Sequence, residues 1–299
     1  MPNILVIGSL NVDLVVRAPR FPTAGETIQG EDLATIPGGK GANQAVASAR
    51  QGANVSMLGR VGKDNFGDFL LVNLKENKVN TNLVQRDDAS TGSAIIIVNS
   101  NGQNNIVLSP GANGKVTPLD VNSASFLGFN LLLLQLEIPL ETVLSAAKRA
   151  RRHGLNIILN PAPAQTLTNE LIALTDFIIP NENELSLLTN SPVNDINSAE
   201  SAARILLARG AKNVIVTLGE KGALIVNKDV VKHIAPFKVK VVDTTAAGDA
   251  FIGGFANAII ENQALEEAVR HGCACGALAT TKFGAQPSLP TKDEVNNLL

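Results

Sequence analysis

The sequence predicts an α/β protein whose mostly parallel central sheet is covered by helices on both faces and carries a small second sheet as a lid. Three observations predict it. Short β-like runs alternate with amphipathic helical stretches, which is the pattern of parallel strands joined by crossover helices. The 299 residues are 45% hydrophobic and 17% charged, enough apolar side chain to bury such a sheet on both sides. Two stretches, 13–30 and 91–109, break the alternation with strand-like patterns of their own.

The expected strands of the main sheet are the runs 3–8, 54–59, 131–137, 156–160, 177–180 and 213–218. Helices lie between them. Ala42, Ala45, Val46 and Ala49 share one helical face and stop at Gly52, and a second helix opens at Pro139, runs through Val143, Leu144 and Ala147, and stops at Gly154. The stretch around Asn99-Ser100-Asn101-Gly102 reads as a hairpin turn. Val12, Leu14 and Val16 alternate with Asp13, Val15 and Arg17, while Ile95, Ile96, Ile97 and Val98 are apolar on both faces. So small a sheet leaves edges and an apolar face that something must cover. No repeat or low-complexity tract interrupts the chain, so we expect one domain over 1–299, with the lid inserted in two pieces, approximately 13–36 and 91–110.

Several function classes are disfavoured. The longest apolar runs, 130–136 and 155–159, fall far short of the ~20 residues that span a bilayer, and Met1-Pro2-Asn3 begins no signal-type segment. We therefore expect a cytoplasmic protein with no membrane partner. A net charge of -2 and 3% aromatics, with no Trp or Tyr, argue against nucleic acid. The only cysteines, Cys273 and Cys275, have no further Cys or His at zinc spacing and read as buried small residues.

Two glycine-rich turns carry the chemistry. Val241-Val242-Asp243-Thr244-Thr245-Ala246-Ala247-Gly248-Asp249 leads into a helix with Phe251, Phe255 and Ile259 on its apolar face. A small-residue turn at a helix start aims backbone amides at an anion, and the helix end adds about half a positive charge there. Asp249 is either a capping carboxylate or, beside phosphates that would otherwise repel it, a base for an attacking hydroxyl. The second turn, Pro37-Gly38-Gly39-Lys40-Gly41-Ala42-Asn43, is no P-loop, because Gly41 stands where Ser or Thr must follow the lysine. Gly8-Ser9-Leu10-Asn11 lacks the later glycines of a dinucleotide fingerprint. What remains is an ammonium, the Asn43 amide, Asn11 and Asp13, groups suited to sugar hydroxyls, or else a plain helix start with a solvated lysine.

Beyond these turns the chain contains Gln135-Leu136-Glu137, Asn181-Glu182-Asn183-Glu184, Thr217-Leu218-Gly219-Glu220-Lys221-Gly222 and Gly284-Ala285-Gln286-Pro287-Ser288. In that order, with the two glycine turns, they resemble the ribokinase family of carbohydrate kinases. The resemblance implies a ribokinase-like three-layer fold and transfer of the ATP γ-phosphate to the 5-hydroxyl of D-ribose. It implies that Asn11, Asp13, Gly39, Lys40, Asn43 and Glu137 hold the sugar and that Asp249 is the base. Backbone amides of Ala246, Ala247 and Gly248 would form the anion hole, Asn181 and Glu184 would organise Mg²⁺ and phosphate, and Thr217 and Gly219 would line the nucleotide site. Ala246 stands where the broader family often has Gly, and its Cβ would crowd the turn at positive φ. Asp243, six residues before Asp249, needs a positive partner. The resemblance supplies K⁺, bound by Asp243, Thr245, Ala279, Lys282 (through its carbonyl), Gly284 and Ser288. It also implies a homodimer formed through the lid. The alternatives are a kinase of the same family for deoxyribose, fructose or adenosine, and a sugar-binding homologue without turnover.

Overall fold

The first apolar run becomes β1 (Asn3–Ile7), which lies inside a nine-stranded sheet and not at its edge. The computed structural model describes residues 3–299. With β1 in this sheet are β4 (Asn54–Gly62), β5 (Asn80–Asp87), β8 (Leu131–Leu134), β9 (Asn156–Leu159), β10 (Phe177–Ile178), β11 (Asn213–Thr217), β12 (Ala223–Asn227) and β13 (Val231–Ile234), in the order β13-β12-β11-β10-β9-β8-β1-β4-β5. Every pairing from β5 to β11 is parallel. Only β11 with β12 and β12 with β13 run antiparallel. All six runs expected from the sequence are in the sheet. The run 131–137 stops as a strand at Leu134, so Gln135 and Glu137 project beyond the sheet's carboxyl end. The β-branched pair Val241-Val242 joins no strand and is exposed.

Successive side chains of a strand point to opposite faces, and both faces here are apolar because helices cover both. Ile4 and Val6 belong to one core with Leu131, Leu133 and Ile225, beneath α1 (Lys40–Arg50), α2 (Asn65–Glu76), α8 (Ala247–Ile260) and α9 (Leu265–Ala279). The short α10 (Ala285–Ser288) and α11 (Lys292–Asn296) close that side, with Leu289 and Val295 in its core. Leu5 and Ile7 belong to the other core with Leu132, Leu134 and Val226, beneath α3 (Pro118–Ser123), α4 (Leu140–Arg152), α5 (Asn169–Leu174), α6 (Glu182–Thr189) and α7 (Ile196–Ala208).

The small sheet has the order β3-β2-β6-β7, with β2 (Asn11–Arg17), β3 (Ala34–Gly38), β6 (Gly92–Val98) and β7 (Asn104–Ser109). β6 and β7 are the expected hairpin, turning through Asn99–Gly102, where Gly102 takes φ 76. β2 follows the turn that leaves β1, and β3 runs straight into α1, with Asn11 opposite Gly38 and Asp13 opposite Ile36. The lid is thus continuous with the glycine turn at Gly38–Asn43. Its outer part leaves apolar side chains uncovered: Ile95, Ile106, Val107 and Leu108 are each about half exposed or more.

Candidate active site

The groups singled out in the sequence lie beyond the carboxyl ends of the parallel strands, where open α/β sheets form their crevice. Gly39, at φ 87, begins α1. A Cβ on Gly39 would lie 2.6 Å from the amide nitrogen of Asn11, so only glycine lets the helix start this close to β2. Glu137, just past β8, closes the same corner. Its Oε2 accepts from the Ser9 hydroxyl at 2.5 Å and from the Lys40 amide at 3.0 Å, while Ser9 Oγ accepts from the Gly41 amide at 3.2 Å. Asn11 is buried, and its Oδ1 accepts from Asn113 Nδ2 at 2.7 Å, which leaves its NH₂ for another acceptor.

Charge is concentrated here. Burial, then Glu137 and Asp249, push Asp13 up to about 7 against the pull of Lys40. Burial disfavours the Lys40 ammonium, yet Asp249, Glu137, Glu184 and Asp13 together hold it above its ordinary value. One cation therefore sits among four carboxylates.

Asp249 lies in the first turn of α8 with its carboxylate buried. Asn43 Nδ2 donates to its Oδ2 and Gln44 Nε2 to its Oδ1, each at 2.9 Å. Burial raises its proton affinity, Lys40 and the two amides oppose, and the result lies above the ordinary carboxylate range. A general base gains from being more basic than a free carboxylate. Ala246 begins α8 in the left-handed region at φ 59, the condition under which a Cβ at this place crowds its turn. An L-residue there costs roughly 1–2 kcal/mol. The turn faces the first-turn amides, which have no acceptor within the helix, toward an open cleft. That cleft, of about 1170 Å³, is lined by Lys40, Asp249 and Ala246–Gly248 together with Thr217 and Gly219. Asn181 and Glu184 also line it while forming the capping box of α6, so the plain helix-capping role of this pair is present together with the expected placement. Beyond them, Phe237, Val241, Phe251, Cys273 and Ala277 make an apolar wall suited to a flat base.

The cation set lies behind the turn. Asp243 Oδ1 accepts from the Thr245 amide and hydroxyl at 2.9 and 2.7 Å, and its Oδ2 accepts from the Gly284 amide at 2.9 Å. The Val242 and Asp243 amides donate to the Thr280 carbonyl, which joins this loop to the end of α9 beside Ala279. Burial raises Asp243, but these hydrogen bonds outweigh it and hold the carboxyl below its usual range. The Lys282 ammonium is drawn away to Glu294 at 2.6 Å, and the Ser288 hydroxyl donates to the Ala285 carbonyl within α10. The structure thus joins Asp243, Thr245 and Gly284 directly and shows no bond from Ser288 to them. Among the described residues there is no cluster of His, Cys, Asp and Glu able to hold a metal.

The model of the pfkB family of carbohydrate kinases matches residues 1–292. The chain belongs to that family. It is 41% identical over 300 residues to a ribokinase of Haemophilus influenzae, covering 99% of this chain and 98% of the relative. It is 40% identical over 301 residues to a deoxyribokinase of Salmonella typhimurium, again covering 99% and 98%. An Arabidopsis thaliana ribokinase complexed with ribose and ATP superposes with a TM-score of 0.91 at 33% identity, covering 99% of this chain and 98% of that one. The fold is ribokinase-like, a large mostly parallel sheet between helices with a small sheet as lid.

In this pfkB-family chain, sequence reasoning passed over Ser9, Gln44, Asn113 and Asn160. Gln44 had a readable signal, a second polar residue after Asn43 just before the small and apolar run Ala45–Ala47 of α1. Asn113 had none, since it reaches Leu10 and Asn11 only through the folded chain. Cys273 and Cys275 are buried as expected, and burial pushes the Cys273 thiol up to about 12. That Cys273 also walls the cleft was not visible in its spacing.

Proposed function

We propose that this kinase transfers the γ-phosphoryl group of ATP to the 5-hydroxyl of D-ribose. The carrying observation is Asp249, a buried carboxylate held by two amides between the polar pocket at Gly39–Asn43 and the amides of Ala246–Gly248. A sugar in that pocket meets Asn11, Asp13, Lys40, Asn43 and Glu137. Asp249 takes the 5-hydroxyl proton as the sugar oxygen bonds to the γ-phosphorus, and the bond from that phosphorus to the bridging oxygen breaks to release ADP. The turn amides and Lys40 receive the charge that develops on the phosphoryl oxygens. Asn181 and Glu184 would face a magnesium ion, which typically keeps most of its water and binds through one or two carboxylates and the substrate phosphates. Such an ion neutralises phosphate charge. An assay of ADP release over a panel of ribose, 2-deoxyribose, fructose and adenosine tests the reading. Failure to phosphorylate ribose rejects it.

The 2-deoxyribose alternative is favoured by one observation: the deoxyribokinase is as similar to this chain as the ribokinase is. Identity does not choose between the sugars, whereas the half-buried carboxylate of Asp13 offers a partner for a 2-hydroxyl. We place the reaction in the cytoplasm, where ATP is supplied.

K⁺ activation belongs to the same reading. Asp243, the Thr245 hydroxyl and the carbonyls at the end of α9 and of Gly284 are hard oxygen donors that suit an alkali cation, and fixing them would fix the Ala246–Gly248 turn. At constant ionic strength, KCl is expected to raise kcat where a large-cation chloride does not. A flat response would leave Asp243 as a cap of its turn. We further assign the uncovered lid to an interface with a second copy of the chain, since Ile95 and Val107 are exposed on one face, Ile106 and Leu108 on the other, and the sheet has an open edge at β7. Light scattering at micromolar concentration is expected to give the dimer mass; a monomer mass rejects the lid interface.

A further inference from the structure

We infer that Gln44 is a positioning residue that sets the orientation of Asp249 through an amide chain that links three strand ends. This rests on the reading of Asp249 as the base. Gln44 lies in α1 and is fully buried. Its Nε2 donates to Asp249 Oδ1 at 2.9 Å and to Asn160 Oδ1 at 3.1 Å, and its Oε1 accepts from Gln135 Nε2 at 2.6 Å. Gln135 follows β8, and Asn160 follows β9.

The direction of the chain is decided at its far end. Asn160 Nδ2 donates to the carbonyl of Ile179, next to the end of β10, at 3.1 Å. That carbonyl only accepts, so Asn160 must turn its oxygen toward Gln44, and Gln44 must answer with N–H. The second N–H of the same nitrogen then points at Asp249. On the opposite side Gln135 donates to Gln44 Oε1, while its own Oε1 has no partner among the described residues, so the anchor of the chain is Asn160. A flip of the Gln44 amide would oppose oxygen to oxygen at both Asn160 and Asp249 and nitrogen to nitrogen at Gln135. Asn43, the other donor to Asp249, has no such anchor, since its Oδ1 finds no partner among the described residues.

Asp249 thus has one rigid donor and one adjustable donor. The rigid one holds a carboxylate oxygen relative to the main sheet, so the opposite lone pairs face the site where a hydroxyl would arrive. It also favours the ionised form, because an amide N–H stabilises a charged acceptor more than a neutral one. The other charged groups facing Asp249 are Lys40 at the start of α1, Glu137 after β8, Glu184 in α6 and Asp13 in β2. None of them is altered by removing the Gln44 amide.

The test uses Gln44→Met, which keeps the length of the side chain and removes its donors, and Gln135→Met, which leaves Gln44 bonded to Asn160 and Asp249 and removes only the donor to its Oε1. A misplaced reacting group can cost about 10²-fold, so Gln44→Met is expected to lower kcat by about that factor with the KM for ATP unchanged. The acid limb of its kcat profile should move to higher pH, since the base loses a bond that favours its ionised form. Gln135→Met should move both quantities the same way by less. A folded Gln44→Met with wild-type kcat and an unmoved limb overturns the inference. If its thermal melt shows that Gln44→Met does not fold, an unmoved kcat and limb in Gln135→Met does the same. Asp249→Asn, run beside them, separates the two claims: near wild-type turnover there removes the base itself, whereas a large loss there with unmoved profiles in the glutamine variants removes only the positioning role.

Discussion

Asp249→Asn is expected to lower kcat by about 10²-fold to 10⁴-fold, the usual contribution of a positioned general base. The substitution is nearly isosteric, and the surroundings can absorb it. The introduced amide can turn its oxygen to Gln44, whose own amide is held by Asn160 and Gln135, and its NH₂ to Asn43. Asn43 can flip at little cost, because its Oδ1 has no partner to lose among the described residues. The variant should therefore keep its fold, and the KM for ATP should stay within a few-fold. The flip turns the Asn43 oxygen away from the sugar side, so the sugar KM should move modestly while the loss falls on kcat. Steady-state kinetics with both substrates varied separate these effects. Near wild-type kcat would show that no carboxylate is needed to take the hydroxyl proton.

The second large effect is discrimination between ribose and 2-deoxyribose. A site built to pair a hydroxyl can reject an analogue lacking it by roughly 10⁴-fold, because its buried polar group is left unpaired. The half-buried carboxylate of Asp13 is the group we assign to that role. Its pKa, pushed up to about 7, means that it is protonated below that value and ionised above it, so the comparison belongs near pH 8. There kcat/KM for ribose is expected to exceed that for 2-deoxyribose by two or more of those four decades. Equal values would release Asp13 from the 2-hydroxyl and favour the substrate of the deoxyribokinase relatives.

Much of this arrangement is legible in the chain because its signals are local. Runs such as Asn3–Ile7 and Asn213–Thr217 are short, apolar and β-branched, and a strand buried on both faces needs nothing more to be visible. Gly39 and Ala246 announced turns that the backbone makes at φ 87 and 59. The misses are of another kind. The run 131–137 reads as continuous, yet it leaves the sheet after Leu134, where Gln135 and Glu137 turn to α1. Gln44, Asn160 and Asn113 act by meeting residues from elsewhere in the chain, and no local pattern encodes such a meeting.

The interior position of β1 has a consequence for how the chain becomes an enzyme during its synthesis. Ile4 is flanked by Val55 on one side and Leu131 on the other, so the first strand to emerge cannot be enclosed until nearly half the chain has followed it. Contacts this distant in sequence form slowly, because loop closure must precede their reward, and an unpaired apolar strand is meanwhile open to wrong partners. The Asn43–Asp249 bond spans 206 residues and comes later still. The glycine turn at Gly38–Asn43 is translated early and the Ala246–Gly248 turn late, and Asn43 and Asp249 meet only once both have been made. A chain that stops short of Asp249 lacks the carboxylate to which Asn43 and Gln44 donate, so the site is incomplete until that late residue has been added.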